Sequence, residues 1–258
     1  MKDIKIIIAA HKPYKMPNDN VYLPVFVGSS GKEDIGFTRD DSGENISNKN
    51  KFYCELTGLY WAWKNLDNQY IGLAHYRRHF AIKNIKKNKF LGLLSGEKAS
   101  GILEKTDIIV PKKRNYYIES LYSHYAHTLH IETLSVAGEI IKEKYPEYYF
   151  EFKKLKTRKS AHMFNMFVMK KELLDEYATW LFDILFELER KIDPQKYDSF
   201  HARYLGRVSE LLFDVWLYTK GYGFAEVKVV DMEKVNWLKK GFSFLLAKFG
   251  KKKYKKSF

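Results

Sequence analysis

The stretch Tyr70-Ile71-Gly72-Leu73-Ala74-His75-Tyr76-Arg77-Arg78-His79-Phe80 decides how the chain is read. It opens with a short apolar run containing Gly and Ala, the pattern of a strand buried on both faces, and then changes abruptly to His-Tyr-Arg-Arg-His. In open α/β sheets ligands sit just beyond the carboxyl ends of the strands, so a cationic, hydrogen-bonding cluster there suits an anionic ligand. Arg77 and Arg78 are the candidates for gripping a phosphate, because a guanidinium stays charged and donates two parallel hydrogen bonds. The competing reading is that both arginines pair with acidic neighbours at a sheet edge.

Working outward, Ile4–Ala10 is a nearly continuous β-branched run that predicts a central parallel strand, and it ends in His11-Lys12-Pro13. A His-Lys loop at that strand end is placed to meet a nucleotide base or diphosphate; a solvated loop lysine is the alternative for Lys12. Tyr22–Gly28 predicts a second strand, with Pro24 confining its start to an edge or bend. Residues 29–50, rich in Gly, Asp, Ser and Asn, read as a long loop and a candidate lid. Within it Asp40-Asp41 raises a metal site, against which stands ordinary turn chemistry. A helix is expected over Ser47–Leu66, carrying Phe52, Leu56, Leu59 and Trp63 on one face; Glu55, Tyr60 and Trp61 in it are either core or substrate contacts.

Asp107–Val110 predicts another strand, stopped by Pro111, so the βαβ rhythm of a Rossmann-type sheet flanked by helices continues, ahead of a helical C-terminal part. Residues 115–135 mix tyrosines with His124, His127 and His130, spaced to stripe one side of a helix. With no acid or cysteine identified beside them, a sugar-contacting surface is read there in preference to a metal site. A helix over 136–155 breaks at Pro146, His162 and Asn165 are polar insertions before an apolar strand, and 172–191 is an amphipathic scaffold helix. The last helix, 203–217, puts Glu210 and Asp214 on one face at i, i+4. There they serve as a general base or pair with Arg207. Gly221 closes that helix, and 225–230 is a final strand.

Composition sets the outer bounds. A chain of 258 residues with 45% hydrophobic and 16% aromatic content has ample material for a core. Its opening apolar run is too short for a signal peptide, no stretch reaches the roughly 18 apolar residues of a membrane span, and the lone Cys54 fits a reducing compartment; a cytoplasmic protein is expected. Residues 237–258 hold eight lysines and no acid, so removing them from the net charge of +14 leaves +6. The excess is concentrated in a tail, 235–258, that mixes lysines with bulky apolar groups. It reads as an attachment to an anionic membrane surface, or else as a docked helix with a basic end. A non-catalytic protein holding RNA or another polyanion is the rival class.

Three blocks carry a family resemblance: Lys5-Ile6-Ile7-Ile8-Ala9-Ala10-His11-Lys12; Asn45-Ile46-Ser47 through Glu55-Leu56-Thr57-Gly58-Leu59-Tyr60-Trp61-Ala62-Trp63-Lys64-Asn65 into Gly72-Leu73-Ala74-His75-Tyr76-Arg77-Arg78; and His162-Met163-Phe164-Asn165-Met166. Together they resemble a bacterial family of capsular and exopolysaccharide glycosyltransferases long known only as a domain of unknown function. The resemblance implies a GT-A-like α/β domain over residues 1–234. It implies transfer of a sugar, galactose in pyranose or furanose form, from a UDP-sugar to a polyprenyl-diphosphate-linked glycan at the inner leaflet. On this reading His11, Lys12, His75, Tyr76, Arg77 and Arg78 bind the donor, His162, Asn165 and Arg207 meet the acceptor or sugar, and Glu210 with Asp214 supplies catalysis. No cofactor, metal ligand or nucleic-acid partner is assigned: the strand end carries His75-Tyr76-Arg77 where such enzymes often carry Asp-x-Asp, so fixed cations would neutralise the leaving UDP. A chain truncated after Val235 is expected to stay in solution when mixed with anionic phospholipid vesicles that sediment the full chain; equal sedimentation of both would remove the membrane reading of the tail.

Overall fold

The computed structural model of the chain describes residues 2–233; the basic tail, and the membrane contact expected of it, lie outside them. In chain order the elements are β1 (Ile4–Ala10), β2 (Tyr22–Phe26), β3 (Thr38–Arg39), α1 (Asn50–Tyr53), α2 (Leu56–Asn65), β4 (Tyr70–His75) and β5 (Arg78–Ala81). There follow α3 (Gly96–Leu103), β6 (Ile108–Pro111), β7 (Arg114–Asn115), α4 (Leu121–Thr128), α5 (Ile131–Lys144), α6 (Pro146–Lys153), β8 (Ser160–Ala161) and β9 (Phe167–Lys170). The described chain ends with α7 (Lys171–Lys191), α8 (Tyr204–Lys220) and β10 (Ala225–Asp231). Among the described residues no helix is long and apolar enough to cross a membrane. They fall into two compact units, one built from residues up to Lys112 with Phe164–Trp180 and Tyr222–Glu233, the other from Lys113–Met163 with Leu181–Gly221.

The first unit holds an eight-stranded sheet. β1 lies parallel between β2 and β4, and β2 is parallel to β3. Along Tyr70–Leu73, β4 pairs antiparallel with β9, which pairs antiparallel with β6. β10 joins β6 in parallel and β5 in antiparallel fashion, and β5 turns back on β4 through the His75–Arg78 pair. The sheet is therefore mixed, with β1 to β4 parallel and β5 and β9 antiparallel to their neighbours in it. The chain reverses at Tyr76-Arg77 because Arg78-His79-Phe80-Ala81 continues as a strand, three of its four residues buried.

β4 is buried on both faces, as its apolar run predicts, and Gly72 explains its composition. A Cβ there would stand 2.7 Å from the Phe167 carbonyl oxygen and 2.8 Å from Val168 Cγ2, so only glycine lets β9 approach this closely. One side of the sheet is covered by a cluster including Ile6, Ile8, Ala74, Phe80, Ile109 and Val168. On the other side α2 lies close to β1 and β2, since a Cβ at Gly58 would meet Val27 at 2.7 Å and Ile7 at 3.5 Å.

Residues 29–50 are tied down near both ends, because the fully buried Asp40 gathers Gly28, Ser29, Ser47 and Thr57, while residues 30–34 between them are exposed. Its carboxylate accepts from the Gly28 and Ser29 amides (2.8 and 3.0 Å) and from the hydroxyls of Ser29, Ser47 and Thr57 (2.9, 2.5 and 2.7 Å). Asp41 takes two hydrogen bonds from Arg39 (3.0 and 2.7 Å), which hold its carboxyl below the usual range. Both acids are thus occupied by the protein's own donors. The helix expected over Ser47–Leu66 is broken at Cys54, whose φ of 54° and ψ of −129° no helix admits. Asn50 fixes the break by donating to the Cys54 carbonyl (2.6 Å) and the Thr57 hydroxyl (3.0 Å).

The second unit is mainly helical. Pro146 ends one helix and starts the next, occupying the first turn of α6, where its missing N–H costs nothing. α8 is buried along most of its length and stops at Gly221 in the left-handed conformation, φ 67°. α4 ends at Thr128 and His130 precedes α5, so the three histidines do not share one helix.

Replacing Gly72 with alanine is expected to lower stability by about 1–3 kcal/mol, because the added methyl meets a backbone carbonyl that cannot swing away. Gly101, a helical glycine with nothing within 4 Å of a built Cβ, serves as the control and its alanine variant should be neutral or slightly stabilising. Urea midpoints of the two variants decide the matter.

Candidate functional site

Parallel pairing sets Ala9 of β1 opposite His75 of β4, so both strands release their next residues at one edge of the sheet. There His11 and Tyr14 each meet the Tyr76 ring edge-on at a centroid distance of 5.0 Å. Lys12 Nζ lies 5.9 Å from that ring and the Arg77 guanidinium 5.2 Å from it. Tyr76 is the buried centre of the group; His11 and Lys12 are exposed and Arg77 partly so. Burial raises the Tyr76 phenol above its ordinary pKa. Glu233 faces the group, accepting from the Tyr14 hydroxyl (3.0 Å) and standing 3.7 Å from Arg77. That ion pair is long and its partners are 41% and 45% exposed, so it binds the arginine weakly.

Arg78 behaves differently. Its Nε donates to Asp231 at 3.0 Å and its guanidinium lies 4.5 Å from the Phe164 ring, which fits the sheet-edge pairing weighed as the alternative for these arginines. His75 donates from Nε2 to the Phe164 carbonyl at 2.5 Å. Phe164 has φ of 80°, which costs such a residue on the order of 1–3 kcal/mol; the adjoining Asn165 has φ of 53°, which asparagine adopts more readily than most residues. Asn165 is 2% exposed and donates to Glu55 Oε1 at 2.7 Å. Glu55 follows the strained Cys54 and precedes α2. Its placement beside Asn165 escaped the sequence reading, since helical periodicity marks which residues face the core but says nothing of a partner 110 positions away.

Beneath the edge, His79 is fully buried with neither ring nitrogen hydrogen-bonded. Burial above all, with His75 adding to it, pushes its pKa down to about 4, so the ring is neutral at ordinary pH.

In the second unit His162 and Asp214 form one enclosed pair. The ring donates from Nδ1 to Asp214 Oδ1 (2.5 Å), the His162 amide lies 3.3 Å from Oδ2, and both side chains are 0% exposed. The Asp214 carboxylate, expected to share in catalysis, thus holds the ring of His162, expected to meet the acceptor or sugar. Glu210 is nearly buried, with Arg207 Nη1 3.6 Å from its Oε1. The histidines of α4 have an acidic partner after all, Glu119, 4% exposed, which accepts from Nδ1 of His124 (3.1 Å) and of His127 (2.7 Å). Desolvation lowers the His124 pKa, with Glu119 opposing it. Among the described residues no group of three or more His, Cys, Asp or Glu side chains is arranged to hold a metal ion.

Residues 5–221 match the family described as "Domain of unknown function (DUF4422)", and the chain belongs to that family. No curated protein matches it. Among solved structures it is similar to the apo structure of the WbbM bifunctional glycosyltransferase, at 31% sequence identity and a TM-score of 0.83. That likeness covers 90% of this chain and 46% of the other, so this chain spans less than half of its relative's length.

His79 gives the fold a pH dependence of definite sign. Its folded pKa of about 4 lies below the ordinary 6.5, so in that interval the unfolded chain binds the proton more readily. The stabilisation from keeping it neutral is complete above about pH 6.5 and drains as pH falls toward 4. Chemical denaturation from pH 7 to 4 should therefore show wild type losing up to about 3 kcal/mol more than His79→Phe. Parallel pH profiles would assign the acid sensitivity elsewhere.

Proposed function

We propose that this member of the DUF4422 family is a glycosyltransferase that moves a sugar from a UDP-sugar to a glycan acceptor. The observation that carries the reading is the matched ending of β1 and β4, which gathers His11, Lys12, Tyr14, Tyr76 and Arg77 at one edge of the sheet. The likeness of most of the chain to a glycosyltransferase structure supports it, and the strand sequence β3-β2-β1-β4 with antiparallel β9 against β4 is compatible with a GT-A-like nucleotide-sugar site.

In this reading the aromatic group of Tyr14 and Tyr76 offers a flat face to the base, and Lys12 and Arg77 meet the diphosphate. As the sugar–phosphate bond breaks, negative charge grows on the departing UDP. Fixed cations aimed at it lower the barrier because they need no reorganisation when the charge appears. Arg78, committed to Asp231, holds Phe164 in place. Asn165 contacts the sugar, and Glu210, poised by Arg207, is the proposed base toward the acceptor hydroxyl. Galactose, as pyranose or furanose, is the proposed sugar and a polyprenyl-diphosphate-linked glycan the proposed acceptor, presented at an anionic inner membrane surface.

Thermal stabilisation across a panel of nucleotide sugars, each with Mn²⁺ and with EDTA, tests the reading. One UDP-sugar is expected to raise the melting temperature in both conditions, since ligand at a hundred times Kd adds about 2.7 kcal/mol. Lys12→Ala and Arg77→Ala should lose most of that shift while remaining folded, and Glu210→Gln should keep the shift but lose on the order of a hundredfold or more in turnover. Absence of any nucleotide-sugar shift, together with steeply salt-dependent binding to any polyanion, would replace this reading with the polyanion-binding one.

A further inference from the structure

We infer that Glu55 and Asn165 form the pair that recognises hydroxyl groups of the transferred sugar, with Glu55 setting which sugar is preferred. The inference rests on the glycosyltransferase reading and adds a residue that reading did not contain.

The argument begins with position. α2 connects the β3 side of the sheet to the start of β4, so its amino end lies at the edge where β1 and β4 finish. Contacts bear this out step by step. Glu55 Oε1 accepts from Asn165; the preceding residue, Phe164, accepts from His75 through its carbonyl and packs its ring against Arg78. Glu55 is thus linked through two adjoining residues to the strand end proposed to hold the diphosphate. A sugar carried on that diphosphate would lie beyond the same strand end.

Chemistry then narrows the role. Asn165 is nearly enclosed, whereas Glu55 is half-buried. One carboxylate oxygen is pinned by the amide; the other takes no partner among the described residues. No cation pairs with Glu55 among the described residues, and the nearest arginine in this string of contacts, Arg78, is committed to Asp231. A carboxylate oriented by a neutral amide can accept from incoming O–H donors, and a sugar presents several. Discrimination follows from the same fact, because a site built to bond a hydroxyl leaves a buried acceptor unpaired when that hydroxyl points elsewhere.

The backbone gives independent weight. Cys54, Phe164 and Asn165 are three of the four non-glycine residues with positive φ among those described, and all three flank this one hydrogen bond. Packing that could have been reached through ordinary conformations does not call for such strain, which is characteristic of places where side-chain direction matters to a ligand.

The test compares affinities of UDP, UDP-galactose, UDP-glucose and UDP-N-acetylglucosamine for the full chain by calorimetry. Glu55→Gln, isosteric and with unchanged apo melting temperature, should bind UDP within about twofold of wild type. It should lose tenfold or more of the wild-type preference for its best UDP-sugar over UDP, with Asn165→Ala weakening the same preference. Glu55→Asp should recover part of it. If Glu55→Gln retains the wild-type ratio, or loses UDP and UDP-sugar affinity in parallel, the pair is structural and the inference fails. Wild type that binds UDP yet gains nothing from any sugar overturns the pair while leaving the nucleotide site standing. Wild type that binds neither removes the underlying reading, and the inference with it.

Discussion

The close approach of β9 to β4 over Gly72 is the constraint on which the candidate site depends. Because a side chain at that position would strike the Phe167 carbonyl, glycine alone permits the pairing that runs from Tyr70 with Lys170 to Leu73 with Phe167. That register dictates where the residues before β9 must go. Phe164 arrives at the end of β4, where its carbonyl meets His75 and its ring meets Arg78, and Asn165 arrives opposite Glu55. A contact in the middle of the sheet thus fixes side chains at its edge, the economy expected when a site is built on rigid strands.

Charge at this edge is divided between fixed and available groups. Asp231 satisfies Arg78 at hydrogen-bonding distance in a partly buried setting, so that arginine contributes position. Arg77 faces Glu233 across 3.7 Å with both partners well exposed, a pairing worth little and easily exchanged for a stronger anion. A phosphate with more charge and better geometry competes with such a carboxylate on favourable terms. The neutral His79 beneath adds no further positive charge to the cluster, so the cations that act are those at its surface.

Much of the architecture was legible in the sequence because burial leaves a period. β1, β4, α7, α8 and the left-handed stop at Gly221 all follow from apolar spacing and from residues with restricted backbones. What escaped reading has a different physical origin. β9 against β4 and β10 between β5 and β6 depend on pairing between segments far apart in sequence, which local periodicity does not encode. Residues 29–50 looked mobile because they are polar, yet Asp40 turns that polarity inward and spends it on five hydrogen bonds. Spacing put Glu210 and Asp214 on one helix face correctly, but could not say that His162, 52 residues earlier, encloses Asp214. Glu119 was missed for the same reason, since the histidines that hold it lie five and eight residues later and meet it only after the chain turns into α4.

The contrast between the two buried acid pairs shows why one is read as scaffold and the other as a recognition element. Asp214 and His162 are sealed from solvent and bonded to each other. Their removal from water is offset in part by that bond. Glu55 and Asn165 share a bond of similar length, yet Glu55 is only half-buried and three residues at or beside the pair have positive φ. Strain of that kind opposes folding and is not fully offset by this single hydrogen bond to a carboxylate, whose net contribution is about 1.5–3 kcal/mol. The arrangement is therefore better explained by what the open carboxylate oxygen can accept than by what the closed one already holds.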